Sequence, residues 1–140
     1  MPVLEYEGRT YVAFLDISGF KEMMKREEQA ARALDRFYNT VYHVSINLMH
    51  PSNEAGILKV DAIVVSDCAI LFSRNTRIEQ DKINGLRSIL TFIREVNRHL
   101  ICSDPPIMTT CSIDYGKFKY EDRIEFEGID KGFFVGNPYL

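Results

Sequence analysis

Residues 57–72 read ILKVDAIVVSDCAILF, an almost wholly apolar, β-branched run interrupted once, by the polar pair Ser66-Asp67. Two strands joined by a tight hairpin fit this pattern, since β-branched residues suit a pleated, buried surface. Short hairpin turns usually favour Gly or Asn, so an acid here without a Gly suggests that the carboxylate itself is wanted.

On the amino-terminal side, Thr10 to Ile17 (TYVAFLDI) has the composition of a mostly buried strand and ends at Ser18-Gly19. From Lys21 to His50 the apolar residues Leu34, Phe37, Tyr38, Val41, Val44 and Leu48 recur every three or four positions, the inner stripe of a helix that Pro51 stops. On the carboxyl side, Arg77 to Ile101 returns to helical spacing, with Leu86, Ile89, Leu90, Ile93, Val96 and Leu100 on one stripe and Asp104-Pro105-Pro106 beyond its end. Ile107 to Tyr115 and Phe118 to Phe126 are expected as strands around Gly116, the second a charged, exposed hairpin arm.

The resulting order is βαββαβ with an added strand: an α+β chain with a ferredoxin-like antiparallel sheet, two long helices on one face and an extra hairpin. In such a sheet the first strand lies beside the third and antiparallel to it. Asp16 closes the first strand and Asp67 opens the third, so acids 51 positions apart meet at one sheet edge. Two ionised carboxylates held together repel, and one takes up a proton unless a cation compensates them. Mg²⁺ or Mn²⁺ suits carboxylate oxygens, with substrate phosphates and waters completing its shell. Ser18-Gly19-Phe20 turns from strand into helix, where backbone N–H groups can hold phosphate oxygens. Taken singly, Asp16 also reads as a helix cap and Asp67 as a turn residue.

The length of 140 residues fits one domain, 1–140, and no internal repeat or linker divides it. Seventeen basic against twenty acidic residues give a net charge of −3, which argues against a general nucleic-acid binder. No apolar run approaches the roughly 20 residues of a membrane span, and the amino terminus, with Glu5 and Glu7, is unlike a signal peptide. A cytoplasmic protein is expected. Cys68, Cys102 and Cys111 lack CxxC spacing and read as reduced thiols, and His43, His50 and His99 lack metal-ligand spacing.

Phe14-Leu15-Asp16-Ile17-Ser18-Gly19-Phe20 resembles the opening F-x-D-I-x-G-F motif of class III nucleotidyl cyclase catalytic domains, and Ser66-Asp67 resembles their second metal-binding hairpin. Ile113-Asp114-Tyr115-Gly116 is similar to a later strand of that family, and Phe134-Val135-Gly136-Asn137-Pro138-Tyr139 to the segment entering its last core helix. The resemblance implies a palm-type sheet and a site in which Asp16, Asp67 and the Ile17 carbonyl hold two divalent cations, Mg²⁺ or Mn²⁺. It implies that Ser18, Gly19 and Phe20 bind the phosphates of a nucleoside triphosphate. The reaction implied is conversion of that substrate to a 3′,5′-cyclic nucleotide and pyrophosphate, in a homodimer whose sites form between subunits. The short motifs look closer to a divergent bacterial branch that includes pyrimidine cyclases of anti-phage signalling.

Departures from the family pattern are informative. Asp61 and Phe133 stand where purine cyclases carry base-reading residues, so the usual adenine or guanine selection is not expected. Leu140 stands where the family places a transition-state Asn, and the partner Arg would lie past it, so the chain reads as lacking a terminal helix or strands. The alternative to an enzyme is therefore a degenerate nucleotide-binding or dimerising module on the same fold. A plainer alternative is a ferredoxin-like interaction domain. Lys21, Lys25 and Arg26 read as a solvated helix face that also suits steering of an anion, and Tyr115 to Tyr120 (YGKFKY), flanked by acids, as a hairpin arm.

Overall fold

A computed structural model describes residues 3–48, 59–74 and 79–121. The elements run β1 (Tyr6–Ile17), α1 (Phe20–Met23), α2 (Glu27–Asn47), β2 (Val60–Val65), β3 (Cys68–Ser73), α3 (Glu79–Ile101) and β4 (Thr109–Tyr120). The four strands form one antiparallel sheet in the order β2-β3-β1-β4. This is the α+β, ferredoxin-like arrangement expected from the order of elements.

Alternation along β1 separates two faces. Ala13, Leu15 and Ile17 point into the main core with Ala69 and Leu71 of β3. The stripes Ala30-Ala33-Phe37-Val41-Val44 of α2 and Ile89-Phe92-Ile93-Val96-Leu100 of α3 close over them. Phe37 and Phe92 are wholly buried, and truncating either to Ala is worth about 3–5 kcal/mol of stability.

Tyr38 and Leu90, expected on the inner stripes, are exposed, each lying roughly 100° round its helix from the buried residue before it. Two further details differ from the sequence expectation. The helix expected from Lys21 to His50 is two helices, with Arg26 between them in extended conformation. No breaker residue marks the joint. Phe20 and the stripe of α2 are both buried, yet on one straight helix Phe20 would sit roughly 100° away from that stripe. The chain kinks so that both reach the core. The expected stop at Pro51 lies outside the described residues.

The second difference concerns Gly116, which is not a turn. It lies inside β4, opposite Thr10, and β4 pairs with β1 along its whole length from Ile17↔Thr109 to Tyr6↔Tyr120. Continuity lets Phe118 pack against Phe72 at 4.9 Å and Tyr115 against Tyr11 at 4.8 Å between ring centroids, both pairs tilted. Such aromatic pairs favour an unbroken ladder. The rest of the expected hairpin arm, to Phe126, lies outside the described residues.

Away from the helices, the second sheet face has two unlike ends. At one, Tyr6, Phe72, Phe118 and Tyr120 form an aromatic cluster, with Arg74 over the rings of Tyr6 and Phe72. At the other, Phe14 and Val65 are exposed.

Candidate active site: a paired-carboxylate corner

The exposed end of this face carries the two acids. Asp16 lies opposite Cys68 on one side and Thr110 on the other. Asp67 immediately precedes Cys68 in the two-residue turn between β2 and β3, whose flanking pair is Val65↔Cys68. Two backbone bonds clamp the corner: the Ile17 N–H donates to the Asp67 carbonyl at 3.0 Å and the Ser18 N–H to the Met108 carbonyl at 2.8 Å. Three segments remote in sequence are thereby stitched together.

The turn has an unusual backbone. Ser66 has φ 56°, in the left-handed region that costs an L-residue about 1–2 kcal/mol. Such strain tends to persist where the surroundings over-determine it, often at working sites. Gly19, with φ 74°, makes the second left-handed step, between β1 and α1. There glycine is the residue for which this geometry costs least.

Electrostatics follow from the proximity. The Asp16 carboxyl is held above its usual range, first by loss of solvent, then by its hydrogen bond with Asp67 and by the charge of Asp67, against an opposing contribution from the Ile17 amide. The Cys68 thiol is raised too, by burial first and then by the charges of Asp16 and Asp67. Three side chains therefore feel one another at this corner: Asp16, Asp67 and Cys68.

The structure brings together Asp16, Ile17, Ser18, Gly19 and Phe20 with Asp67. Within the expected phosphate turn, the Ser18 amide is committed to Met108; the amides of Gly19 and Phe20 are engaged by neither Asp67 nor Met108. Phe20 itself is buried, anchoring α1. Asp61 is not at the corner. Its row, Asp61↔Phe72↔Val12, lies four residues along β3 from the row of Asp16, roughly 13 Å at the rise of a strand. It is 5% exposed, and its carboxylate takes Arg74 at 2.5 Å and Lys59 at 3.5 Å. Phe133, Leu140 and the 134–139 segment lie outside the described residues. Lys25 pairs with Glu22 on the exposed face of α1 and its end.

Sequence reasoning did not single out Cys68 or Thr110, the two cross-strand neighbours of Asp16. The signal for Cys68 was present, since a two-residue hairpin at Ser66-Asp67 fixes its row. Nothing in the sequence marked Thr110, because its register depends on β4 running straight through Gly116.

The donors fit a hard divalent cation: two carboxylates and the carbonyl of Ile17, all oxygens. They form a pair of acids only; among the described residues there is no group of three or more His, Cys, Asp or Glu able to hold a metal. Mg²⁺ commonly uses one or two protein carboxylates, so this donor set suits an ion shared with a substrate. Among the described residues no helix is long and apolar enough to cross a membrane.

No protein-family model and no curated protein matches the sequence. Among solved structures, the fold is similar to the guanylate cyclase domain of RhGC from Catenaria anguillulae, determined in complex with GTP. The TM-score is 0.59 at 13% identity, over 82% of this chain and 59% of that one. The likeness is one of fold, and the chain spans less than two thirds of that relative.

Proposed function

We propose that this chain is a nucleotidyl cyclase domain that binds a nucleoside triphosphate with divalent metal at the Asp16–Asp67 corner. It would release a 3′,5′-cyclic nucleotide and pyrophosphate, working as a homodimer. The single observation that carries the reading is the mutual contact of two carboxyls that no cation among the described residues pairs with at that corner. A cyclase-like fold and the GTP-bound relative support the substrate class.

In this reading Asp16, Asp67 and the Ile17 carbonyl would hold two Mg²⁺ or Mn²⁺ ions. When bound, the metal would lower the pKa of the ribose 3′-hydroxyl and offset charge on the leaving pyrophosphate. The residues themselves do the positioning. The Ile17–Asp67 and Ser18–Met108 bonds fix the distance between the acids and the turn, and the amides of Gly19 and Phe20 orient phosphate oxygens. Because reaction of bound groups gains chiefly from orientation and charge placement, small shifts of this corner should cost much of the rate. Reading of a base by Asp61 would require breaking its pairing with Arg74, so the base is read elsewhere or from the partner subunit.

The test is incubation of the chain with each of the four NTPs and Mn²⁺. A cyclic nucleotide and pyrophosphate from at least one of them is expected, lost by Asp16→Asn and by Asp67→Asn. No product from any of the four contradicts the catalytic reading.

A further inference from the structure

Between the α1–α2 joint, the first turns of α2 and residues 104–107 lies a cavity of about 430 Å³ that the cyclase reading does not use. Its apolar lining is made by Met23, Ala33, Pro105, Pro106 and Ile107, and three arginines also line it: Arg26, Arg32 and Arg36. These three are not equivalent. Arg36 is fixed, its Nη1 donating to the carbonyls of Asp104 at 2.8 Å and Pro105 at 3.4 Å. Arg32 is in a loose exposed pair with Glu28 at 3.6 Å, which contributes little. Arg26 has no carboxylate within ion-pair distance among the described residues. Glu28 and Asp104 also line the cavity, so the guanidinium excess is one charge, with Arg26 the cation lacking a counter-charge.

We infer that this cavity binds a small phosphate monoester with a compact apolar body, the phosphate on Arg26 and Arg32 beside the immobilised Arg36, and the body on Met23, Ala33 and Ile107. Arginine forks match phosphate oxygens in pairs, and a partly enclosed apolar floor strengthens such contacts. The volume suits a ligand of this size.

The cavity walls are also the supports of the turn. Ile107 leads directly into Met108, whose carbonyl holds the Ser18 amide, and the Met23 amide donates to the Gly19 carbonyl at 3.1 Å. A ligand bridging the two walls would bear on both ends of the Ser18–Gly19 step. Its regulatory consequence rests on the reading of the acid corner as the working site; its binding does not.

The experiment is an amide NMR titration of the whole chain with phenyl phosphate, free of divalent metal, with phenol as the uncharged control. Saturable shifts at Met23, Ala33 and Ile107 are expected at millimolar probe, with Ser18 and Gly19 shifting at the same midpoint and phenol leaving all of them unmoved. Arg26→Gln and Arg32→Gln should each weaken binding about tenfold or more, and neither touches the carbonyls that hold Arg36. No saturable shift at the cavity, an equal response to phenol, or unchanged affinity in both variants would overturn the site. Static Ser18 and Gly19 resonances at saturation would overturn the coupling. Asp16→Asn/Asp67→Asn separates the two readings: binding at the cavity should survive it. Loss of the shifts in that variant would mean that the probe was held at the acid corner instead.

Discussion

Asp61 and Asp16 project from the same sheet face, four residues apart along the ladder, and the molecule treats them in opposite ways. Asp61 is enclosed, with Arg74 and Lys59 on its oxygens and an aromatic cluster of Tyr6, Phe72, Phe118 and Tyr120 beside it. Arg74 continues outward to the carbonyls of Leu4 and Glu5, tying down the start of β1. Asp16 is exposed, and its nearest ionisable partner is another acid. Folding alone accounts for the first arrangement: a buried charge is tolerable when paired and hydrogen-bonded. It does not account for the second, where like charges are clamped together by backbone bonds and a left-handed serine. The difference separates an acid that holds the sheet from acids that are held for something else.

The largest expected effect tests the enclosed end. Asp61→Ala leaves Arg74 partly buried without its carboxylate and should cost about 3 kcal/mol in urea unfolding. A loss below about 0.5 kcal/mol would erase the contrast. Asp16→Asn should act with the opposite sign in metal-free buffer, raising stability by less than about 1 kcal/mol, since the corner is exposed and screened.

The same corner sets a pH dependence. The folded Asp16 carboxyl binds its proton more tightly than the unfolded one, whose ordinary value is 3.8. Below 3.8 both states are protonated; as pH rises from there through the raised folded value, the unfolded state ionises first and stability falls, then levels. Urea midpoints across that window should show this decline in the parent chain and lack it in Asp16→Asn. Mn²⁺ should reverse the decline at neutral pH, and its removal with EDTA should restore it. The smallest effect is at Ser66→Gly, which relieves the left-handed strain while loosening the unfolded chain. A net gain of about 0.5 kcal/mol is expected from thermal unfolding.

Much of this contrast is legible in the amino-acid sequence. The βαββαβ order followed from two period-3.6 stripes and a β-branched run broken at Ser66-Asp67, and that order alone puts Asp16 beside Asp67. What stayed hidden depends on long-range packing. The joint between α1 and α2 exists because Phe20 and the Ala30–Val44 stripe must both be buried, and KEMMKREE contains no residue that announces it. The continuity of β4 through Gly116 depends on rings brought from β1 and β3. Likewise the sequence marks Asp61 only as standing at a base-reading position of the resembled family; its pairing with Arg74, 13 positions on, comes from the hairpin register.

In our proposal Asp16 and Asp67 are placed together to hold divalent metal. A crystal of the chain soaked in Mn²⁺, examined by anomalous scattering, tests it most directly. A peak bridging the two carboxyls and the Ile17 carbonyl, absent from Asp67→Asn, is the predicted result. Saturating Mn²⁺ with no peak there would contradict it.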